Sequence, residues 1–130
     1  MSTKTTVVHE DDVPAVDLPG RTLQWVITSE NTDAQHCTSC LIRVPPGATV
    51  KPAHSHPNGE EIIHIVHGTG RVWIEGKVDP VRTGTTVLFP QGDIHMLQNT
   101  GADEMKVICF FAPPSDLGTY KFFEDIEFPT

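Results

Sequence analysis

The 130 residues carry a formal net charge of −8, an ordinary aliphatic and aromatic content and only three cysteines. A single domain of this length buries a core without disulfide staples. The acidic balance argues against nucleic-acid or anionic-membrane partners, which need a basic patch, and no apolar run is long enough to span a bilayer.

Residues 1–14 are polar and acidic, with Glu10, Asp11 and Asp12, and lack the basic and apolar stretches of a secretory leader. The expected location is therefore the cytoplasm, and an odd cysteine count fits that reducing compartment. From Pro19-Gly20 onward, turn residues recur at short intervals: Pro45-Pro46-Gly47, Pro57-Asn58-Gly59, Gly68-Thr69-Gly70, Pro90-Gln91-Gly92 and Asn99-Thr100-Gly101 among them. Between them run β-rich segments over 23–28, 40–44, 61–66, 71–75, 86–89, 95–98 and 105–111. No stretch between residues 20 and 112 sustains a helical apolar period. Many short strands at this spacing imply a sandwich, a jelly roll or a barrel.

Cys37 and Cys40, preceded by His36, form a superficial CxxC with no second pair to close a zinc site. If 36–44 is a strand, the two cysteines face opposite ways and read as small strand residues. Beyond residue 115 the pattern predicts a short helical turn around Asp116 to Tyr120, then an extended tail. Its Phe122, Phe123, Ile126 and Phe128 call for burial against the barrel or a partner subunit.

Chemistry concentrates in His54-Ser55-His56, with Glu61 just after and His95 in a later strand. Imidazoles at i and i+2 of an extended segment share a face. With Glu61 and His95 they can make a cage of three nitrogens and one oxygen. That set suits one divalent transition metal (Fe, Mn, Ni, Zn, Co or Cu) and is too nitrogen-rich for Ca or Mg.

These residues resemble the cupin superfamily. The first cupin motif, a glycine, His-x-His, a glutamate and a second glycine, reads here as Gly47, His54, His56, Glu61 and Gly68. Its one departure is an extra residue between Gly47 and His54, which leaves the ligand spacing untouched. The second motif matches at Gly84, Pro90, Gly92, His95 and Asn99. Fifteen residues separate Gly68 from Gly84, the short spacing of a bacterial single-domain cupin.

The resemblance implies an all-β, double-stranded β-helix or jelly-roll barrel, with a metal near the wider mouth. One cupin domain would fill 1–130, its barrel core over about 20–113 flanked by N- and C-terminal extensions. The implied ligands are His54, His56, Glu61 and His95. Glu60 is the rival carboxylate, but the motif gap to Gly68 selects Glu61, and strand parity lets only one of the two face the metal. Asn99 is expected to cap a turn.

The expected inward set beside the metal is Ile63, Ile65 and Leu97, with Trp73, Val87 and Phe89 as further members of a mostly apolar pocket. His64 has the outward parity, towards solvent or a subunit interface. His67 has the inward parity but lies beside a turn. Glu60 and His67 are the candidates for a catalytic general base. His9 and His36 read as surface groups; Arg43 and Tyr120 could contact a substrate, but read first as a solvated arginine and a packed ring.

Four protein ligands on an octahedral ion leave two open positions, enough for a bidentate substrate or for one substrate atom plus dioxygen. The expected function is a metal-dependent enzyme acting on a small polar organic substrate, with dioxygenase chemistry favoured by a narrow margin. The alternatives are an isomerase, lyase or cyclase using the metal as a Lewis acid, and a non-catalytic small-ligand binding cupin. By resemblance the protein is a homodimer, with 5–8 and 122–128 as candidates to cover a sheet edge.

Overall fold

The computed structural model describes residues 4–129. Within them, turns cut the chain into β1 (Val16–Leu18), β2 (Arg21–Ile27), β3 (Thr38–Val44), β4 (Thr49–Ser55), β5 (Glu60–His67) and β6 (Thr69–Ile74). There follow β7 (Lys77–Arg82), β8 (Thr86–Phe89), β9 (His95–Asn99), β10 (Met105–Ala112) and β11 (Lys121–Phe123). One sheet runs β1-β2-β3-β10-β5-β8 and the other β11-β4-β9-β6-β7, every pairing antiparallel. The result is the two-sheeted jelly-roll barrel of the cupins.

Alternation explains the core. Leu23, Ile42, Val107 and Phe111 of the first sheet face Val50, Val72 and Leu97 of the second, all buried in one cluster. Each such burial contributes about 1.5–3 kcal/mol. In β5, Glu61, Ile63 and Ile65 are buried while Glu60, Ile62 and Val66 are exposed. Leu97 and Phe89 also lie in the core and Val87 packs against it. Trp73 departs from the expected inward set. The core-facing residues of β6 are Val72 and Ile74, so Trp73 takes the opposite parity.

β7 contains Pro80 and sits at a sheet edge, where a missing N–H costs no ladder bond. Gly20, between β1 and β2, has φ +77°, and a Cβ there would lie 1.8 Å from the Thr49 carbonyl oxygen. Only glycine lets that turn pass so close to β4. Asn99 is fully buried and closes the turn after β9. Its amide donates to the Val44 and Asp103 carbonyls, and its oxygen accepts from Gly101 N–H.

Both extensions lie on the barrel. A 3-10 turn over Leu117–Thr119 is capped by Asp116, whose carboxylate accepts from Gly118 N–H at 2.8 Å. β11 then pairs with β4, setting Phe122 opposite His54. Ile126 and Phe128 line a groove on the second sheet with Met96, and the Arg71 guanidinium lies 4.7 Å above the Phe128 ring. The tail thus covers its own barrel, although Phe122 stays half-exposed. At the other end Val7 is exposed, whereas Glu10 is anchored to the first sheet by Arg43 and by Lys106 at 3.0 Å. Arg43 also donates to Gln24, so it is engaged rather than freely solvated.

Candidate metal centre

β4 pairs with β9 at Thr49–Gln98 and Val50–Leu97, then slips so that His54 comes opposite His95. Pro52, inside the slip, has no N–H to keep the ladder regular. His56 lies just beyond β4, and its carbonyl accepts N–H from Gly59 at 3.3 Å and from Gly92 at 3.1 Å. Gly92 has φ +81°, a left-handed conformation favouring glycine. One carbonyl therefore ties the turn before Glu61 to the turn before His95.

The four expected ligands converge. His54, His56, Glu61 and His95 are all buried, and one donor atom from each lies within 4.8 Å of the others. The Glu61 carboxylate is 2.9 Å from His56 Nε2 and 3.3 Å from His95 Nε2. His54 Nδ1 lies 3.1 Å from the Pro52 carbonyl, and His95 Nδ1 lies 3.1 Å from the Asp93 carbonyl. A carbonyl can only accept, so both Nδ1 atoms carry a proton, which leaves each Nε2 as the atom that can face a cation. This backbone bracing is the outer-shell support that orients metal-ligating histidines.

With its ring neutral, His95 would turn an Nε2 lone pair towards a carboxylate. His95 Nε2 and His56 Nδ1 are buried without any hydrogen-bond partner. Only a proton or a metal cation between His95 and Glu61 reconciles the contact. The donor set and the orphaned nitrogen therefore fit a divalent transition metal.

Electrostatics holds the ligands in their binding forms. Burial, with His95 nearby, lowers the pKa of His54 to about 3, so the ring is neutral at physiological pH. Burial raises that of Glu61, but its contacts with His56 and His95 outweigh this and hold it at about 2. Aromatic rings brace the imidazoles. Phe89 stacks on His95 at 3.8 Å, Phe111 meets His56 edge-on at 5.0 Å, and Tyr120 stacks on His54 at 5.1 Å.

Beside the quartet lies a cavity of about 30 Å³, whose wall includes Arg21, Cys40, Cys109 and Tyr120. A volume of that order holds one or two waters. Hydrogen bonding to Cys40 and burial push the Cys109 thiol well up, and burial and the Glu61 charge do the same to the Tyr120 phenol. Both stay protonated.

The base candidates are not brought to the cluster. Glu60 has the outward parity of β5 and is exposed. His67 would face inward by simple alternation, but the β5–β10 register shifts between Lys106 and Val107. Its ring is exposed, 3.8 Å from Asp103. His64 faces outward, 2.8 Å from the Thr86 hydroxyl. Sequence reasoning missed Arg21, although it shares the strand parity of core residue Leu23. Tyr120, expected as a packed ring that could contact a substrate, packs against the core and forms part of the cavity wall.

The sequence model for the family described as the cupin domain matches residues 40–111. Protein SchB of Streptomyces halstedii is 30% identical over 115 residues, covering 86% of this chain and 83% of that protein. A predicted oxalate decarboxylase from Thermotoga maritima superposes with a TM-score of 0.74 at 20% identity, over 83% of this chain and 99% of that one. The polyketide cyclase RemF from Streptomyces resistomycificus superposes at 0.69 with 22% identity, over 83% and 79%. At such identities these two likenesses speak to the fold alone. Among the described residues, no helix is long and apolar enough to cross a membrane.

Proposed function

The chain belongs to the cupin domain family, and from that premise we propose that it is a metal-dependent enzyme acting on a small polar organic substrate. The ligands of one divalent transition metal are His54, His56, Glu61 and His95. The observation carrying this reading is the buried quartet, with two braced imidazoles and an ionised carboxylate that has no Lys or Arg within 4.0 Å among the described residues. When bound, the metal supplies Lewis acidity towards a substrate oxygen, or a redox centre. The protein's own groups do the rest. Glu61 offsets the ion's charge, the braced rings keep their lone pairs aimed inward, and Phe89, Phe111 and Tyr120 keep bulk water out.

Of the reactions such a site supports, Lewis-acid isomerase, lyase or cyclase chemistry comes first. Cys40 and Cys109 line the cavity, and oxygen activation beside two thiols would expose both to oxidation. Dioxygenation, favoured from the sequence, ranks second, and non-catalytic ligand binding third.

The test is metal content by mass spectrometry on untagged protein purified without chelator, beside His56→Ala and Glu61→Ala. Near-stoichiometric manganese, nickel or zinc, lost in both variants, supports the Lewis-acid reading. Iron with substrate-dependent oxygen uptake would replace it with dioxygenation. No metal in the wild type, even after addition, would sink the enzyme reading.

The working location is the cytoplasm, in keeping with three free cysteines. A homodimer is proposed through the outer face of the first sheet. There Ile62 lies between Leu88 and Phe110, all three at least 43% exposed.

A further inference from the structure

Arg21 is only 6% exposed, yet among the described residues it has no ion-pair partner within 4.0 Å. Its hydrogen bonds are two, both from Nη1, to the carbonyls of Pro19 and Lys51 at 3.1 Å each. Nε and Nη2 have no partner among the described residues. Neither is among the buried atoms left without a partner, so both reach solvent and stand free to pair with an anion. Four groups act electrostatically on Arg21: Tyr120, Cys40, Cys109 and Glu61. Burial keeps the Tyr120 phenol and the Cys109 thiol protonated, and Glu61 belongs to the quartet.

Arg21 lines the same cavity as His54, Glu61 and His95, and also borders a surface groove of about 280 Å³ with Leu117 and Phe122 of the C-terminal segment. It therefore stands between the quartet and the outside. Three neutral imidazoles, one carboxylate and a divalent ion sum to one positive charge, and Arg21 adds a second. With such an ion bound, the cavity would be an electropositive pocket inside an acidic protein.

We propose that Arg21 is the substrate-recognition residue of this site, binding a carboxylate of a small organic anion whose other end engages the metal held by the quartet. The proposal rests on the metal-centre reading above and narrows its substrate to carboxylate-bearing molecules. The planar guanidinium matches a carboxylate through paired N–H donors, which lysine cannot reproduce. Neutral analogues of the same size would leave it unpaired and be rejected. The small cavity further requires the segment carrying Tyr120 to yield as such a molecule enters.

The test uses metal-loaded full-length protein and calorimetric titration with two probes. Oxalate, the smallest dicarboxylate, carries the anionic groups. Acetohydroxamic acid, neutral in solution and lacking a carboxylate, also chelates divalent metals. Metal content is measured in every sample. Arg21→Gln should keep its metal and its acetohydroxamate affinity while losing roughly 10- to 100-fold in oxalate affinity. Arg21→Lys should fall between, and it carries the comparison if the glutamine variant folds poorly. Equal oxalate affinity in wild type and variants, equal loss of both probes, or no oxalate binding by metal-loaded wild type would each overturn the proposal. A wild type that takes up no metal would instead fail the metal reading, and this proposal with it.

Discussion

Tyr120 lies flat against His54, their ring centroids 5.1 Å apart and their planes 10° from parallel. The same ring stands edge-on to His56 at 4.4 Å. One residue of the C-terminal segment therefore roofs two of the four candidate ligands. It reaches that position because β11, immediately after it, pairs with the strand that carries His54.

Truncating that roof should loosen the barrel mouth without dismantling the ligand set. Tyr120→Ala is expected to destabilise the protein by on the order of 3 kcal/mol, while Tyr120→Phe, which keeps the stacked ring, costs under about 1 kcal/mol. Urea unfolding measures both. Metal content should stay near stoichiometric in each, and its loss in Tyr120→Phe would mean that the hydroxyl supports the centre.

Metal removal should lower thermal stability, because the ion binds only the folded quartet. At a free metal concentration about a hundred times Kd the linkage contributes about 2.7 kcal/mol. In a domain of this size that corresponds to a Tm roughly 10 °C higher than in chelator-treated protein. A Glu61→Gln variant should show almost none of this shift in differential scanning calorimetry.

Acid should destabilise the metal-stripped protein, and His54 sets part of the window. Its folded pKa of about 3 lies below the ordinary histidine value of 6.5, so the unfolded chain binds the proton first as pH falls. The stability it contributes is complete above pH 6.5 and is lost progressively down to about 3. At pH 5 the loss is about 2 kcal/mol. Glu61, lowered to about 2 from 4.5, adds a second loss below pH 4.5. Urea midpoints at pH 7, 5 and 4 measure the slope, which His54→Leu should flatten between pH 7 and 5. A slope unchanged in that variant would assign the acid sensitivity elsewhere.

The outer face of the first sheet should carry self-association. Phe110→Asp places a charge beside Ile62 and is expected to convert a dimer to monomer in light scattering, with metal content unchanged. A monomeric wild type would remove that interface.

The ligand quartet was legible because motif spacing and strand parity act locally. His54 and His56 share a face, and Glu61 rather than Glu60 turns inward with Ile63 and Ile65. What escaped is what distant pieces build together. β4 was hidden by Lys51 and Pro52, and β7 by Pro80 among charges, since neither run alternates cleanly. Trp73 was misphased because its apolar bulk suggested burial, whereas Val72 and Ile74 on either side of it hold the core-facing parity. His67 fell to a register shift that only its partner strand reveals. Arg21 and Tyr120 reach the site from opposite ends of the chain, where neither carries a motif.

The carbonyl that joins Gly59 and Gly92 has a bearing on how this centre can change over generations. The two turns that deliver Glu61 and His95 are sewn to each other through the main chain of His56, not through its imidazole. Replacing a donor side chain therefore leaves the scaffold of the nest standing. Ligand identity becomes an editable layer over an inherited frame, and substitutions at 54, 56, 61 or 95 can retune metal preference, or abandon metal altogether, within a barrel that still folds.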